Sequence, residues 1–164
     1  MLLFRGAPAL SPFRIERLLA TGRRIAPALG AIHVDYLHFV SLRGSLTAIQ
    51  TTVLERLLDY DAARAADSRP GQLLLTVPRP GTISPWSSKA TDIAQVCGLD
   101  AVHRIERGRA WWIDAPAPLA PAAVTALASR LHDPMTEAVM TDTAEVSALF
   151  EAHAPRPLGR IVLG

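Results

Sequence analysis

The sequence contains few features of exported, membrane-spanning or disulfide-linked proteins. Cys97 is the one cysteine among 164 residues, so no disulfide can form within the chain, which indicates the reducing cytoplasm. No window of about 18 apolar residues is free of charge and proline, which excludes a membrane-spanning helix. Three arginines, Arg5, Arg14 and Arg17, interrupt the apolar run that a secretory signal requires. We therefore expect a soluble cytoplasmic protein with no membrane partner.

The sequence is also poor in lysine and in aromatic residues, and its net charge is small. The 17 basic and 15 acidic side chains nearly cancel, and the arginines are scattered singly or in pairs rather than clustered as in a DNA-binding face. Nine aromatic residues, without the pattern of RNA-binding sheets, argue against nucleic acid as a partner. Lysine occurs once, at Lys89. A hydrophobic fraction of 49% excludes disorder, and the chain is long enough to form a packed domain without metal or disulfide.

The order of predicted elements repeats along the chain. Each half contains a strand, a helix, an extended segment and a second helix, as judged from apolar periodicity and turn residues. In the first half these elements lie at about 2–5, 11–26, 32–42 and 49–60. In the second half they lie at about 73–77, 88–98, 102–114 and 120–131. A short strand at 138–140 and a final helix, opened by a capping box of Asp142 and Glu145, complete the pattern.

The two extended segments decide the fold prediction. Residues 32–42 alternate in character and predict one or two strands, and 102–114 predicts a hairpin that turns at Arg107-Gly108. The pattern indicates an α+β fold of two tandem ferredoxin-like βαββα units, related by a pseudo-twofold axis, with helices covering an antiparallel sheet. The predicted boundaries are 1–66 and 67–145 for the two halves, 1–150 for the domain and 151–164 for the start of a proline-rich linker to a further domain.

The segment Pro78–Ile93 has the most unusual sequence in the chain. Pro80-Gly81 suits a tight turn, and Pro85 stiffens the loop, so that Trp86 would be presented on a rigid stem. The alternative is an ordinary connection between a strand and a helix, in which Trp86 packs against the domain. Both interpretations stay open at this point.

The serines and the lysine that follow are candidates for an anion site. Ser87 or Ser88 would cap a helix, whose first N–H groups together with Lys89 favour an anion such as phosphate. Asp92 lies in the same first turn and partly cancels this positive field. The serines would also cap a helix that has no ligand, so the residues alone do not establish the site.

The segment Pro78–Ile93 resembles the N-terminal segment of the phosphoribosylformylglycinamidine synthase family, in the large single-chain form found in many bacteria. The similarity covers essentially all of 1–164. The further segments that resemble the family are Leu3–Gly6, Pro8–Ser11, Leu54–Tyr60, Cys97–Leu99, Arg104–Gly108, Leu131–Glu137 and Leu149-Phe150.

The resemblance implies a non-catalytic part of an ATP- and glutamine-dependent ligase of purine biosynthesis. Enzymes of this family take ammonia from glutamine and use ATP, with magnesium, to convert formylglycinamide ribonucleotide to the amidine. Their synthase domain and their glutaminase domain, which carries a Cys-His-Glu triad, both follow the N-terminal region. The N-terminal domain resembles a dimer of the small subunit of the split enzyme, and it helps complete the assembly through which ammonia passes. The resemblance therefore implies no catalytic residue, cofactor or metal in this region, no activity by itself, and the synthase and glutaminase domains as partners.

The loop after Pro78 is the predicted functional segment. It spans about nine residues, whereas connections of this kind usually need about 2–6, and loops on rigid scaffolds often carry function. We expect it to face the substrate mouth of the synthase domain, with Trp86 as the docking anchor and Lys89 adding a favourable field. The predicted site residues are Thr82, Ser84, Trp86, Ser87, Ser88 and Lys89. Two other functions stay open: a small-molecule-binding regulatory domain and an RNA-binding module.

Other chemically versatile residues have structural interpretations. Cys97 is expected to be a small buried side chain late in a helix, rather than a nucleophile. His33 and His38 fall on opposite faces of a strand, so they are not expected to chelate a metal. Trp111 and Trp112 alternate, which predicts one in the core and one toward a partner or a covered edge. Two arginine clusters are expected on solvated faces, with domain docking as the alternative: Arg23 with Arg24, and Arg104 with Arg107 and Arg109.

Overall fold

A computed structural model describes residues 1–60 and 69–151. The strands are β1 (Leu2–Pro8), β2 (Ala31–Leu42), β3 (Gln72–Pro78), β4 (Val102–Asp114) and β5 (Glu137–Met140). The α-helices are α1 (Pro12–Ile25), α2 (Ala48–Leu57), α3 (Pro85–Val96) and α4 (Pro121–Leu131), and a 3-10 helix spans Thr143–Phe150. The predicted boundary between the halves, at 66/67, and nearly all of the predicted linker lie outside the described residues.

All five strands belong to one antiparallel sheet, in the order β1-β2-β4-β3-β5. The long strands β2 and β4 form its centre and pair from Ala31 opposite Asp114 to Leu42 opposite Val102. Each of β3, α3, β4 and α4 begins about 70 residues after its counterpart β1, α1, β2 or α2. The arrangement is that of two similar units about an axis between β2 and β4, so the predicted α+β fold with tandem ferredoxin-like units is confirmed.

The predicted hairpin at Arg107-Gly108 is wrong, because β4 is a single continuous strand. Gly108 lies within the β2–β4 ladder, opposite Leu37. A Cβ atom at this position would lie 2.7 Å from the carbonyl oxygen of Thr76 on β3, so glycine serves a close approach of two backbones here and not a turn. Residues 31–42 likewise form one strand. Over the described residues each half therefore has the order βαβα, and its long strand pairs both within its half and across the axis.

The helix starts follow from local capping. Ser11 and Pro12 open α1 as predicted, with proline at the first helical position. Thr47 and Gln50 form a capping box at α2, in which the Thr47 hydroxyl accepts from the Gln50 amide at 3.2 Å. Asp142 caps the last helix by accepting from the Ala144 amide at 2.9 Å, but that helix is of the 3-10 type. None of the helices in the described part of the chain is long and apolar enough to cross a membrane.

The core is divided into clusters by the faces of the sheet. On one face α1 and α4 cover a cluster around Trp111, while α2 and α3 cover another around Ile105. Both residues lie on β4, and side chains alternate along a strand, so Arg107 and Arg109 lie on the same face between the two clusters. The opposite face carries a cluster around Phe39 that the 3-10 helix covers. The fold therefore places two arginines in the gap between two pairs of helices.

Candidate functional site

The connection between β3 and α3 is shorter than the sequence indicates. It comprises residues 79–84, which is an ordinary length for such a connection. Ser84 caps the helix, because its hydroxyl accepts from the Ser87 amide at 3.0 Å. Ser87 and Ser88 lie inside the first turn, so the prediction that one of them is the cap is wrong. The helix begins at Pro85, three residues earlier than predicted.

The N-terminus of α3 faces a carboxylate of the protein itself. Glu106 is fully buried, and its Oε2 accepts from the Ser84 hydroxyl at 2.8 Å. The Arg104 side chain donates to the same carboxylate, with Nε at 3.0 Å from Oε1. Arg104 also donates to the carbonyl oxygens of Thr82 and Leu149, so this ion pair joins the loop and the 3-10 helix to the sheet. Glu106 supplies the negative charge that a helix N-terminus favours, which offsets the field expected to attract an external anion.

The structure divides the six predicted site residues into inner and outer groups. Thr82, Ser88 and Lys89 are exposed, and the Thr82 hydroxyl donates to the Arg79 carbonyl at 2.7 Å. Ser87 is fully buried, and its hydroxyl has no hydrogen-bond partner among the described residues. Ser84 is half-buried as the helix cap. These five residues therefore do not form one surface.

Trp86, the sixth residue, is half-buried and packs across the sheet rather than standing on a free stem. Its indole stacks on the His38 ring, with centroids 5.5 Å apart and an angle of 27° between the planes. The guanidinium carbon of Arg107 lies 4.5 Å from the Trp86 ring centroid and 4.3 Å from that of Tyr36. Trp86 thus connects α3 to both central strands.

His38 is held neutral by this packing. Burial, and secondly the positive charge of Arg107, lower the pKa of His38 from 6.5 to about 4, against opposing contributions from Asp59 and the Phe4 backbone. Gly6 makes room for the ring, since a Cβ atom there would lie 2.7 Å from the His38 Cε1 atom. His33 lies on the other face of β2, as predicted. No group of three or more histidine, cysteine, aspartate and glutamate side chains that could hold a metal occurs in residues 1–60 and 69–151.

A groove of about 490 Å³ opens beside Trp86, at the start of α3 and over the strands that carry Tyr36 and Arg107. We call it the Arg107 groove, and the lining residues used below are Tyr36, Trp86, Arg107, Arg109, Thr136 and Glu137. Arg109 donates from Nη2 to both carboxylate oxygens of Glu137, each at 2.7 Å. Arg107 has no hydrogen bond or ion pair with any residue that the structure describes. The described lining residues therefore give the groove a net positive charge.

The family comparison covers the part of the chain that contains this site. The model of the formylglycinamide ribonucleotide amidotransferase N-terminal family matches residues 35–150, from within β2 to the end of the 3-10 helix. The chain belongs to this family. It is a domain of the purine-biosynthesis amidotransferase, which confirms the resemblance that the segment Pro78–Ile93 indicates.

The arginines of this N-terminal domain are the functional candidates that sequence reasoning missed. Arg104, Arg107 and Arg109 are not on solvated faces, because they bind a buried carboxylate, two aromatic rings and Glu137, respectively. Arg107 and Arg109 are spaced i, i+2 on an uninterrupted strand, which places both on one face, but the assumed hairpin turn at Arg107 hides this signal.

The tryptophan pair of this N-terminal domain lies as predicted. Trp111 is buried beneath the helices and donates from Nε1 to the Thr76 hydroxyl at 3.0 Å. Trp112 is half-buried on the opposite face, where the Arg5 guanidinium lies 4.6 Å from its ring centroid. Trp112 is therefore a covered residue and not an exposed contact.

A second feature of this N-terminal domain is an apolar surface on α2 and α3. The helices are joined by a hydrogen bond from Gln50 Nε2 to the Gly98 carbonyl at 3.1 Å, and a cavity of about 270 Å³ lies between them. Cys97 is exposed at the end of α3, so its predicted burial is wrong; Leu99 enters the core instead. The α2–α3 surface is defined by five exposed residues, Ile49, Leu57, Lys89, Ile93 and Val96.

Proposed function

We propose that this chain is the non-catalytic N-terminal domain of an ATP- and glutamine-dependent formylglycinamidine ribonucleotide synthase. In this proposal it helps to assemble the synthase and glutaminase domains of the same full-length chain and the ammonia path between them. ATP and magnesium are bound by the synthase domain. The observation that carries the proposal is the α2–α3 surface.

Large apolar side chains are unusually exposed on this surface. Val96 is 88% exposed, Ile49 79%, Ile93 46% and Leu57 41%. Isolated exposed apolar residues are common, but a group on two adjoining helices beside an apolar cavity is typical of an interaction surface. Lys89 and Trp86 line that cavity together with Leu57 and Ile93, so the predicted loop segment and the apolar surface meet there. The matching family is that of the N-terminal part of an amidotransferase, which supports other domains of the same chain as the partner.

The predicted loop has a smaller part in the proposal than the sequence indicates. Of the six predicted site residues, the exposed ones are able to contact the synthase domain, namely Thr82, Ser88 and Lys89. The Ser87 amide donates to the Ser84 hydroxyl and so fixes the start of α3. Trp86 packs this helix against the sheet through its contacts with His38 and Arg107. We propose that Lys89 lies at the edge of the interface, toward the phosphorylated substrate.

The full-length amidotransferase that carries this domain provides the test. We expect Ile49→Asp with Val96→Asp to lower the glutamine-dependent rate by about tenfold or more, because charge on both helices opposes docking. The ammonia-dependent rate should change less than about twofold, since the synthase chemistry lies elsewhere. Lys89→Ala should raise KM for the ribonucleotide.

Phe13→Asp is the matched control. Phe13 is 66% exposed on α1, away from the α2–α3 surface, so the same change there should leave both rates unchanged. Equal effects of the control and the α2–α3 variants, or no effect of either, would contradict the assembly role.

A further inference from the structure

We propose that the Arg107 groove binds the phosphate group of a small phosphorylated molecule, with Arg107 as its principal ligand. The proposal is independent of the docking role, because the groove and the α2–α3 surface lie on different sides of Trp86.

The first argument is that aromatic rings hold the guanidinium of Arg107 while its N–H donors stay available. Its guanidinium lies over the rings of Tyr36 and Trp86, at 4.3 and 4.5 Å from their centroids. Such contacts hold the cation through the aromatic rings, which are not hydrogen-bond acceptors in the plane of the guanidinium, and leave its N–H donors available. None of those donors has a hydrogen-bond acceptor or a carboxylate among the residues described by the structure. A fixed, unpaired guanidinium at a concave site is a typical ligand of an oxyanion.

The second argument is the free-energy cost of keeping the positive charge of Arg107 partly buried in the groove. Partial burial is the main cause that lowers the pKa of Arg107; the interaction with Tyr36 opposes this shift, and the nearby positive charge of Arg109 adds to it. The one carboxylate that lines the groove among residues 1–60 and 69–151, Glu137, is already bound at both oxygens by Arg109. An incoming anion would supply the negative charge that no described residue provides for Arg107.

The third argument is the shape and the chemistry of the lining. A volume of about 490 Å³ exceeds the requirement of a bare ion and admits a small molecule. A phosphomonoester presents three strong acceptor oxygens, which suit the five donors of Arg107 better than the two oxygens of a carboxylate. Thr136 and Glu137 line the same groove and can bond to the hydroxyl groups of the ligand. A sugar phosphate has both kinds of group.

The test uses this 164-residue chain and isothermal titration at constant ionic strength. The probes are ribose 5-phosphate, inorganic phosphate, ribose and acetate. We expect saturable binding of ribose 5-phosphate, weaker binding of inorganic phosphate, and none of ribose or acetate. Arg107→Met should weaken binding of ribose 5-phosphate at least about tenfold, and Arg107→Lys, which keeps the charge but not the paired donors, about threefold or more.

Arg24→Met is the control, because Arg24 is an exposed arginine on α1 outside the lining of the groove. It should leave the affinity within about twofold of the wild-type value. Thermal unfolding of each variant shows whether it is folded, and Arg107→Lys carries the test if Arg107→Met is not. The proposal is overturned if ribose 5-phosphate does not saturate, if Arg107 variants bind it like Arg24→Met, or if acetate binds equally well, which would indicate an acidic side chain of another domain as the occupant.

Discussion

Glu106 shows how strongly one buried residue shapes the predicted functional segment. Its carboxylate accepts from Ser84 and Arg104, which fixes the cap of α3 and the path of the loop before it. In the sequence, Glu106 is one acidic residue between two arginines, a pattern typical of an exposed strand. Its burial depends on Ser84, 22 residues away along the chain, and on the 3-10 helix near Leu149. Such long-range partners leave no local signal, so the sequence could not predict the ion pair.

His38 makes stability depend on pH in a defined window. Folding lowers the pKa of His38 from 6.5 to about 4. Between these two values the unfolded chain therefore binds a proton at His38 that the folded chain does not bind. The stabilising contribution of neutral His38 is therefore present above pH 6.5 and decreases as the pH falls toward 4, by about 3 kcal/mol in total.

We expect His38→Gln to remove this part of the pH dependence. The free energy of unfolding, measured in urea from pH 7 to pH 4, should converge between wild type and variant as the pH falls. His103→Gln, at an exposed position, controls for the loss of an imidazole. A constant difference between wild type and His38→Gln across this range would show that His38 is not kept neutral by the fold.

At the scale of elements, local signals succeed at helix starts and fail in the middle of the sheet. The dipeptide Ser11-Pro12 correctly predicts the start of α1. The same dipeptide at Ser84-Pro85 starts α3, and the prediction missed it because two further serines follow. The Arg107-Gly108 signal for a turn is overridden by pairing with β2 along the whole strand, and local sequence does not report this pairing.

Gly108→Ala tests the assignment of β4 as one strand. The added Cβ atom would lie 2.7 Å from the Thr76 carbonyl oxygen and 3.1 Å from the Phe39 ring, so backbone must move. We expect the free energy of unfolding to fall by about 1–3 kcal/mol. Gly44→Ala is the matched control, because nothing lies within 4 Å of a Cβ atom there. A Gly108→Ala protein as stable as Gly44→Ala would favour an open turn at this position.

At the scale of the whole molecule, the sequence predicts the class of fold and the family well. The repeated order of elements indicates two similar α+β units, and the pairing of β2 with β4 at the centre of the sheet agrees with it. The family match over residues 35–150 agrees with the resemblance in the segment Pro78–Ile93. The candidate site is predicted only in part. Trp86 is found from the sequence, but the residues around it come from the two central strands that the fold brings together: His38 and Arg107 contact Trp86, and Tyr36 contacts Arg107.

Binding between this chain and the rest of the enzyme tests the proposed assembly role most directly. The synthase and glutaminase domains, produced without their N-terminal domain, are titrated with the 164-residue chain in a calorimeter. We expect a saturable one-to-one complex, weakened at least about tenfold by Ile49→Asp with Val96→Asp and unchanged by Phe13→Asp. The chain alone should hydrolyse neither glutamine nor ATP. Absence of a complex with the wild-type chain, or a complex that tolerates both aspartates on α2 and α3, would contradict the account.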